Sequence, residues 1–520
     1  MKTTKRWLAL LLAALLMLTC LAGCGSKEVE PEESEETDEA EKTSESGLAE
    51  SFDDAEDVAY VLIYNPDIYN TTYNPDVMLS TGDFDRQMID TDRVRADGLE
   101  LPDPTAGMYF SSQEVMDALA GTEGTINESD RAGILGVPAE VGDEEEFYCD
   151  VGGTGERTLE TFVCRSVSEH ANVWSLKDAD DLTDEQADYY AQRFDEEIYD
   201  LDVSLFGTPV YADEGGKVDL LFYYLGGSET EAYTWGFFYP GDIFAAVQLP
   251  EGFAEAQAWN TDHAIININT YPLQYPGAQE SLCTTIAHEF QHLIFETSIM
   301  ARKPSLEKFG FPVWLNEAMS GYVEEALIPG EKDSDCMWFS SSTLIRHGQS
   351  LYNFFNNPRD IGVYGSVYLY SEFLSELSGE DVFRDMHDYL RYDASDVPTD
   401  AEVIYASVGE EAVQRIDEAI VFPESVQFAS PEEEFMSKLT LAFYFSMLNG
   451  SIAEPDAYRN IDSMTLLFDE LDSTDIEGGG RVIVATKDGS FEIPKDADSG
   501  LVYIGLDENF QPVTSIIYGE

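Results

Sequence analysis

The chain has 520 residues, of which 43% are hydrophobic and 12% aromatic, so it is long enough for two or three domains with a sizeable core. Its formal net charge is −74, from 102 acidic and 28 basic residues. So negative a surface repels phosphate backbones, which argues against a nucleic-acid partner. The acidic residues are spread along the whole chain, a pattern that suits general solvation.

The first residues predict export. Three basic residues precede an apolar run from Trp7 to about Leu18, which is shorter than the ~20 residues of a permanent membrane helix. The sequence Leu21-Ala22-Gly23-Cys24 follows and resembles a bacterial lipobox. This resemblance implies removal of a signal peptide, residues 1–23, and acylation of Cys24. The mature protein would then be extracytoplasmic and lipid-anchored to a bacterial cell membrane; an ordinary signal peptide with an incidental cysteine is the alternative.

Residues 24–57 are predicted to be an acidic, disordered linker. From Ser26 to Asp57 there are 15 acidic residues against two lysines, Lys27 and Lys42. Such a segment cannot bury enough apolar surface to order itself, and its charges repel one another. We therefore expect a spacer between the lipid and the folded protein.

Residues 58–170 are predicted to form an N-terminal β-rich domain, because short apolar runs such as Val58–Tyr64 alternate with turn residues. Cys149 and Cys164 flank the turn signal Gly152–Gly155, and export favours disulfides. However, a turn centred there would set Cys149 opposite Thr158. The sequence leaves open whether the two cysteines are bridged.

Residues 171–450 are predicted to be the catalytic domain. The stretch from Leu182 to Leu201 has helical spacing with Thr183 as its cap, and Val218–Tyr224 is typical of a central strand. The loop Asp213–Lys217 has too few alternating oxygen ligands for calcium and is predicted to be a plain turn.

The chemistry is concentrated in one predicted helix. His288 and His292 are four residues apart, so their imidazoles lie on one helix face and can point to a common zinc ion. Glu289 is offset round the helix, where its carboxylate can take a proton from water as the general base. The flanking residues are apolar nearly all round, so the helix is buried and its polar groups need partners. A metal supplies them; a satisfied core network is the alternative.

A catalytic zinc takes three protein ligands and keeps one position open. Phe295 and Ser298 stand where a metzincin has Gly and His, which excludes that class. Glu317 is the favoured third ligand, in the second turn of a helix that Pro312 can open. Glu296 competes for this role, but the extra helical turn carries it further from the metal.

The pairing of His-Glu-x-x-His with a later Asn-Glu-Ala looks like the gluzincin metallopeptidases, and Ala287–His292 with Trp314–Ser320 is most similar to the hyicolysin-type family. The resemblance covers roughly residues 170–380. It implies an α+β fold: a thermolysin-like core with a mixed sheet and an active-site helix, a helical lower subdomain and flanking β-rich domains. It also implies an edge strand near Ala264–Tyr271 that holds substrate backbone. Gly321 departs from thermolysin-like relatives, which have an acidic residue there that orients a ligand.

The same resemblance suggests a tyrosine that faces the zinc from a later helix. Tyr364 is the candidate, with Tyr368 as its substitute, and its phenol would donate to the developing negative oxygen. A core aromatic is the equal alternative. His347 could make a similar donation, but an ordinary surface histidine is favoured. Ordinary structural roles are also predicted for His170, His263, His387 and the thiol of Cys283.

Beyond residue 380 the pattern is helical to about Asn449, and residues 451–520 are predicted to form a small C-terminal β-module. Four strand patterns occur between Arg481 and Tyr518. None of them carries a catalytic constellation.

The sequence therefore predicts a membrane-anchored zinc metalloendopeptidase that hydrolyses protein or peptide substrates. Zinc is held by His288, His292 and Glu317, and Glu289 is the base. Two other functions stay open. One is a surface binding lipoprotein with a degenerate peptidase-like domain; the other is a metal-dependent hydrolase of a non-peptide acyl bond, since the same activated water attacks any acyl carbon.

Overall fold

A computed structural model describes residues 58–69, 139–209, 216–227, 233–243, 253–302, 313–332, 348, 350–352, 362–393, 398–460, 476–486, 500–514 and 517–518. The predicted signal peptide, Cys24, the acidic linker and His347 lie outside these residues. Residues 49–520 make one compact unit. None of the described helices is long and apolar enough to cross a bilayer.

The described strands form two sheets, ordered β2-β3-β4-β5-β7-β6 and β10-β9-β1-β8. In chain order the strands are β1 (Tyr60–Tyr64), β2 (Glu144–Cys149), β3 (Thr158–Val167), β4 (Ala171–Leu176), β5 (Val218–Tyr223), β6 (Gly236–Phe238), β7 (Ala264–Asn269), β8 (Arg481–Ala485), β9 (Val502–Leu506) and β10 (Ile517–Tyr518).

Helices pack on these sheets and on one another, which makes the fold α+β. In chain order the α-helices are α1 (Asp184–Arg193), α2 (Tyr199–Phe206), α3 (Phe253–Gln257), α4 (Ala278–Arg302), α5 (Val313–Leu327), α6 (Gly362–Ser378), α7 (Asp381–Asp388), α8 (Asp400–Ser407), α9 (Gly409–Ala419) and α10 (Pro431–Asn449). Short 3-10 or π turns cover Phe194–Ile198, Pro240–Ile243, Tyr271–Gln274, Tyr389–Asp393 and Asp456–Asn460.

The six-stranded sheet carries the predicted catalytic region. Strands β4, β5 and β7 are parallel neighbours, and every residue of β5 is buried. The prediction of a central strand at Val218 is confirmed: β5 pairs with β4 on one side and with β7 on the other, and its apolar run is interrupted only by Asp219. Thr183 caps α1 through a reciprocal bond with Gln186, which confirms the predicted helix start.

The substrate-edge expectation for Ala264–Tyr271 needs correction. Strand β7 lies between β5 and β6, so its backbone is already paired on both sides. The edge at this end of the sheet, among the described strands, is β6, which is only three residues long. Gly236 of β6 lies against helix α4: a Cβ there would come 2.7 Å from the Cγ2 atom of Thr285. The missing side chain lets the strand approach the helix.

The sheets divide the chain differently from the predicted domains. Strand β1, near residue 60, pairs antiparallel with both β8 and β9, whereas β2 and β3 belong to the six-stranded sheet with β4, β5 and β7. The predicted boundaries at 170 and 450 therefore do not separate sheets. An apolar run indicates a strand but not its partner, and here the partner is more than 400 residues away.

The cysteine prediction is settled by strand register. Cys149 lies opposite Thr158, as the turn signal predicted, while Cys164 lies opposite Trp174 on the next strand pair. Cys149, Cys164 and Cys283 are free and buried. The Cys149–Cys164 bridge that the sequence left open is therefore absent.

Candidate metal centre

Helix α4 buries the three polar side chains of the His-Glu-x-x-His motif, His288, Glu289 and His292. It runs for 25 residues against β6, β7 and α5, and its residues from Cys283 to Ser298 are buried. His292 is fully buried, and His288 is 8% exposed. Their rings are 4.6 Å apart, one turn from each other on the same face. Two imidazoles in an apolar helix therefore face one point.

The third group comes from α5, which packs along α4. Glu317 lies in the second turn of this helix and is 2% exposed. Its Oε2 atom is 3.3 Å from His288 Nε2, and its Oε1 atom is 3.7 Å from His292 Nε2. Ligand atoms of the three residues all lie within 4.8 Å of one another. Pro312, the predicted helix opener, lies outside the described residues.

These separations fit a zinc ion. Ligand atoms bound to tetrahedral zinc at ~2.0–2.2 Å lie about 3.3–3.6 Å from one another. Two imidazole nitrogens and one carboxylate oxygen are also the donor types of a three-ligand catalytic zinc. Without a cation, two rings and a carboxylate would share a dry site, at a desolvation cost. Among the described residues, this is the one group of three that could hold a metal ion.

Glu289 lies on the neighbouring face of α4, towards the edge strand. Its Oε2 atom accepts the Phe238 backbone N–H of β6 at 2.8 Å. Burial raises the pKa of Glu289 to about 7, although the Phe238 hydrogen bond and nearby His288 act in the opposite direction. A carboxyl with such a pKa can accept and release a proton near neutral pH.

Glu324 is a residue that the sequence reasoning missed. Its Oε1 atom is 2.5 Å from His288 Nδ1, which leaves Nε2 of that ring facing Glu317. This is the usual arrangement of a ligating histidine whose second nitrogen is held by a carboxylate. Glu324 follows Glu317 by seven residues, two turns along the same helix face. The resemblance predicts an acidic residue one turn along, at position 321, whereas the structure has it two turns along, at Glu324. The i+7 spacing of the two glutamates is the signal in the sequence.

The charges around the two histidines differ. Burial lowers the pKa of His288, but contacts with Glu317 and Glu324 outweigh burial and raise it to about 10. Burial lowers the pKa of His292 to about 4. Burial raises the pKa of Glu324, but Lys332 and His288 reverse this and hold it below its usual value. The two rings therefore differ in their surroundings: two carboxylates contact His288, whereas the effect of burial dominates at His292.

The other predicted candidates have separate positions. Glu296 is buried one turn beyond His292 on α4 and does not belong to the metal-binding group. Tyr364 lies in the first turn of α6, partly buried against the core, and Tyr368 is buried one turn further. Helix α6 packs on α5. The assignment of Tyr364 as an oxyanion donor stays a prediction.

The remaining described histidines have structural contacts. His170 stacks on Tyr199 at 3.7 Å between ring centres. His387 is buried, with Nδ1 2.7 Å from the Phe383 carbonyl oxygen. His263 lies 2.8 Å from Asp219. Ordinary structural roles account for all three.

The comparisons with known proteins point in the same direction as this geometry. The chain is 27% identical over 226 residues to the neutral metalloprotease ShpI of Staphylococcus hyicus, which covers 42% of this chain and 48% of that protein. The match supports a distant metallopeptidase relationship. This chain matches about half the length of that curated relative. No family model matches the chain.

Proposed function

We propose that this chain is a zinc metalloendopeptidase of the gluzincin type, tethered to the outside of a bacterial cell membrane through Cys24. One observation carries the proposal: Glu317 from α5 approaches the Nε2 atoms of His288 and His292 from α4 to 3.3 and 3.7 Å. The distant similarity to a neutral metalloprotease supports a peptide bond as the target.

In this proposal each side chain has one task. His288, His292 and Glu317 hold the metal, and Glu324 orients His288. Zinc bound there supplies a Lewis acid that polarises a carbonyl and lowers the pKa of water. Because the Phe238 N–H holds Oε2 of Glu289, we assign Oε1 as the atom that accepts a proton from water. Glu289 then returns this proton to the leaving amine. Tyr364 stays the proposed donor to the oxyanion.

The substrate backbone would pair with β6. Asn269 N–H of β7 bonds to Trp235 O, so by the antiparallel alternation the backbone groups of Gly236 and Phe238 point away from β7. Phe238 N–H already reaches Glu289 on that side. An extended peptide added beside Gly236 would therefore run next to the proposed base.

Replacing Glu289 by Gln tests the chemistry. We expect stoichiometric zinc to remain and cleavage of a denatured protein or a peptide mixture to fall by about 10²–10⁴-fold, because Gln cannot take the proton. The measurements are metal analysis of the purified protein and cleavage-product profiling with and without a chelator. Glu296→Gln is the matched control on the same helix, and we expect it to retain cleavage.

Three results would reject the proposal: a wild-type protein without stoichiometric zinc, cleavage that survives chelation, or an undiminished rate in Glu289→Gln. A zinc-loaded protein that cleaves esters or amidated sugars but no peptide would favour the non-peptide hydrolase. A metal-free protein without hydrolytic activity would favour the binding lipoprotein.

The membrane anchor has its own test. Cys24→Ser removes the thiol that would be acylated, so we expect the protein to move from the membrane fraction to the soluble fraction of the producing bacterium. An unchanged distribution would contradict acylation at Cys24 and would leave the peptidase assignment intact.

A further inference from the structure

We propose that Lys332 is a positioning residue of the metal centre, which acts through Glu324 to fix the ring of His288. The inference rests on the proposed metal-binding function. It assigns to this chain a device for orienting the ligand that replaces the acidic residue absent at position 321.

The polar chain behind His288 has two links. Lys332 Nζ is 3.1 Å from Glu324 Oε2, and the other oxygen of the same carboxylate is 2.5 Å from His288 Nδ1. Lys332 is 2% exposed and Glu324 is 5% exposed. The ammonium therefore holds one carboxylate oxygen while the other holds the ring, which restricts rotation of the Glu324 side chain.

The backbone of Lys332 is also held in place. The carboxylate of Glu325 accepts the Lys332 N–H at 3.0 Å and the Gly330 N–H at 2.7 Å, which closes the turn after α5. Thr284 of α4 donates to Glu331 at 3.4 Å, so this turn contacts the helix that carries His288. Adjacent glutamates, at 324 and 325, thus hold the side chain and the backbone of one lysine.

Gly321 explains how Lys332 reaches its partner. A Cβ atom at position 321 would lie 3.4 Å from Lys332 Cε and 3.3 Å from Tyr368 Cβ. The aliphatic part of Lys332 thus crosses α5 where the helix has no side chain. A carboxylate at position 321 would have to share this space with the lysine. The absence of a side chain at Gly321 is therefore compatible with the path of Lys332 to Glu324.

A buried ion pair is weak evidence for a role in stability. A buried pair of charges must repay a large desolvation cost, and replacing both groups by apolar ones is often neutral or stabilising. Partners that orient a metal ligand, in contrast, are typically worth 10–100-fold in metal affinity or activity. Because Glu324 contacts a proposed zinc ligand, we assign Lys332 to the partners that orient a metal ligand.

The test measures the zinc dissociation constant of the full chain by competition with a chelator. We expect Lys332→Met to weaken zinc binding by about tenfold and Lys332→Arg to restore most of the loss, because Arg keeps a cation near Glu324. Lys438→Met is the matched control, because Lys438 also pairs with two carboxylates, Asp417 and Glu434, and these lie on α9 and α10. The control should bind zinc like the wild type.

A double-mutant cycle shows whether Lys332 acts through Glu324. Glu324→Gln should weaken zinc binding, and adding Lys332→Met should cause no further loss, since the carboxylate it positions is gone. Additive losses would overturn the inference. So would tighter zinc binding by Lys332→Met, which is the result expected if the lysine acted only as a repelling charge.

Gly321→Ala probes the same arrangement without removing a charge. Its Cβ would approach Tyr368 Cβ to 3.3 Å and touch Lys332 Cε at 3.4 Å, so we expect weaker zinc binding, and no effect of this change in the Glu324→Gln background. This variant keeps the inference testable if Lys332→Met does not fold. Wild-type protein without zinc would reject the proposed function itself. Zinc-binding wild type with unaffected Lys332 and Gly321 variants would reject only the positioning role.

Discussion

Among the described residues, two clusters bring histidine and carboxylates together, and one of them has three converging groups that could hold a metal. In the first, His288 and His292 share Glu317. In the second, His263 has Asp219 at 2.8 Å from one ring nitrogen and Glu145 at 3.6 Å from the other. In the second cluster the two nitrogens of the His263 ring face two different acids, so the possible metal-ligand atoms do not converge on one point.

Hydrogen bonding separates the clusters further. Asp219 Oδ1 already accepts from Asn172 at 2.9 Å and from the Trp174 indole N–H at 2.8 Å, so this carboxylate is committed to joining strands β4 and β5. Glu324, in contrast, contacts Nδ1 of His288 and leaves Nε2 of the same ring facing Glu317. His288 thus has a carboxylate behind its ring and the ring of His292 beside it, an arrangement that suits a metal ligand.

The largest expected difference between the clusters comes from removing one carboxylate from each. Glu317→Ala should lower zinc affinity by more than ~100-fold and abolish cleavage, because loss of a ligand lowers the affinity more than loss of a residue that orients a ligand. Glu145→Ala should leave both unchanged. The measurements are metal content after dialysis and the cleavage rate. Retained zinc in Glu317→Ala would mean that another group, such as Glu296, completes the site.

Glu296→Gln should stabilise the protein at neutral and alkaline pH. Burial raises the pKa of Glu296 from 4.5 to about 8. Between these values the unfolded chain loses a proton that the folded chain keeps, so the wild type loses stability as pH rises from 4.5 to 8. Gln avoids this cost.

We expect a gain in the free energy of unfolding on the order of 2–4 kcal/mol at pH 8, and no gain at pH 4.5. Denaturant unfolding at several pH values measures it. A variant that is less stable at pH 8 would show that the ionised carboxylate has a stabilising partner.

The smallest expected effect concerns His263. Burial lowers its pKa, but the hydrogen bond and charge of Asp219, with Glu145 and Asp242 nearby, raise it above 6.5. A raised histidine pKa contributes stability that is complete below 6.5 and is lost as pH rises through the folded-state value. His263→Gln should therefore destabilise the protein most at pH 5–6 and less at pH 9, as thermal unfolding across this range would measure. A deficit that grows with pH would contradict this assignment.

Local sequence was sufficient for the features that depend on one helix or one strand. His288 and His292 share a face because they are four apart, and Thr183 caps its helix because its hydroxyl reaches a free N–H. Strand β5 is central because it is apolar apart from Asp219. Glu317 followed from the ligand count of zinc and from a short motif on a second helix.

Tertiary structure alone decided the features that need partners distant in the chain. Three features leave no periodic pattern in the sequence. They are the pairing of β1 with strands more than 400 residues away, the interior position of β7 and the contact of Lys332 with Glu324. Periodicity records which face of an element is buried, whereas it does not record what covers that face. Partner choice depends on packing and hydrogen bonding over the whole fold, which is why the contact of Lys332 with Glu324 became visible only in three dimensions.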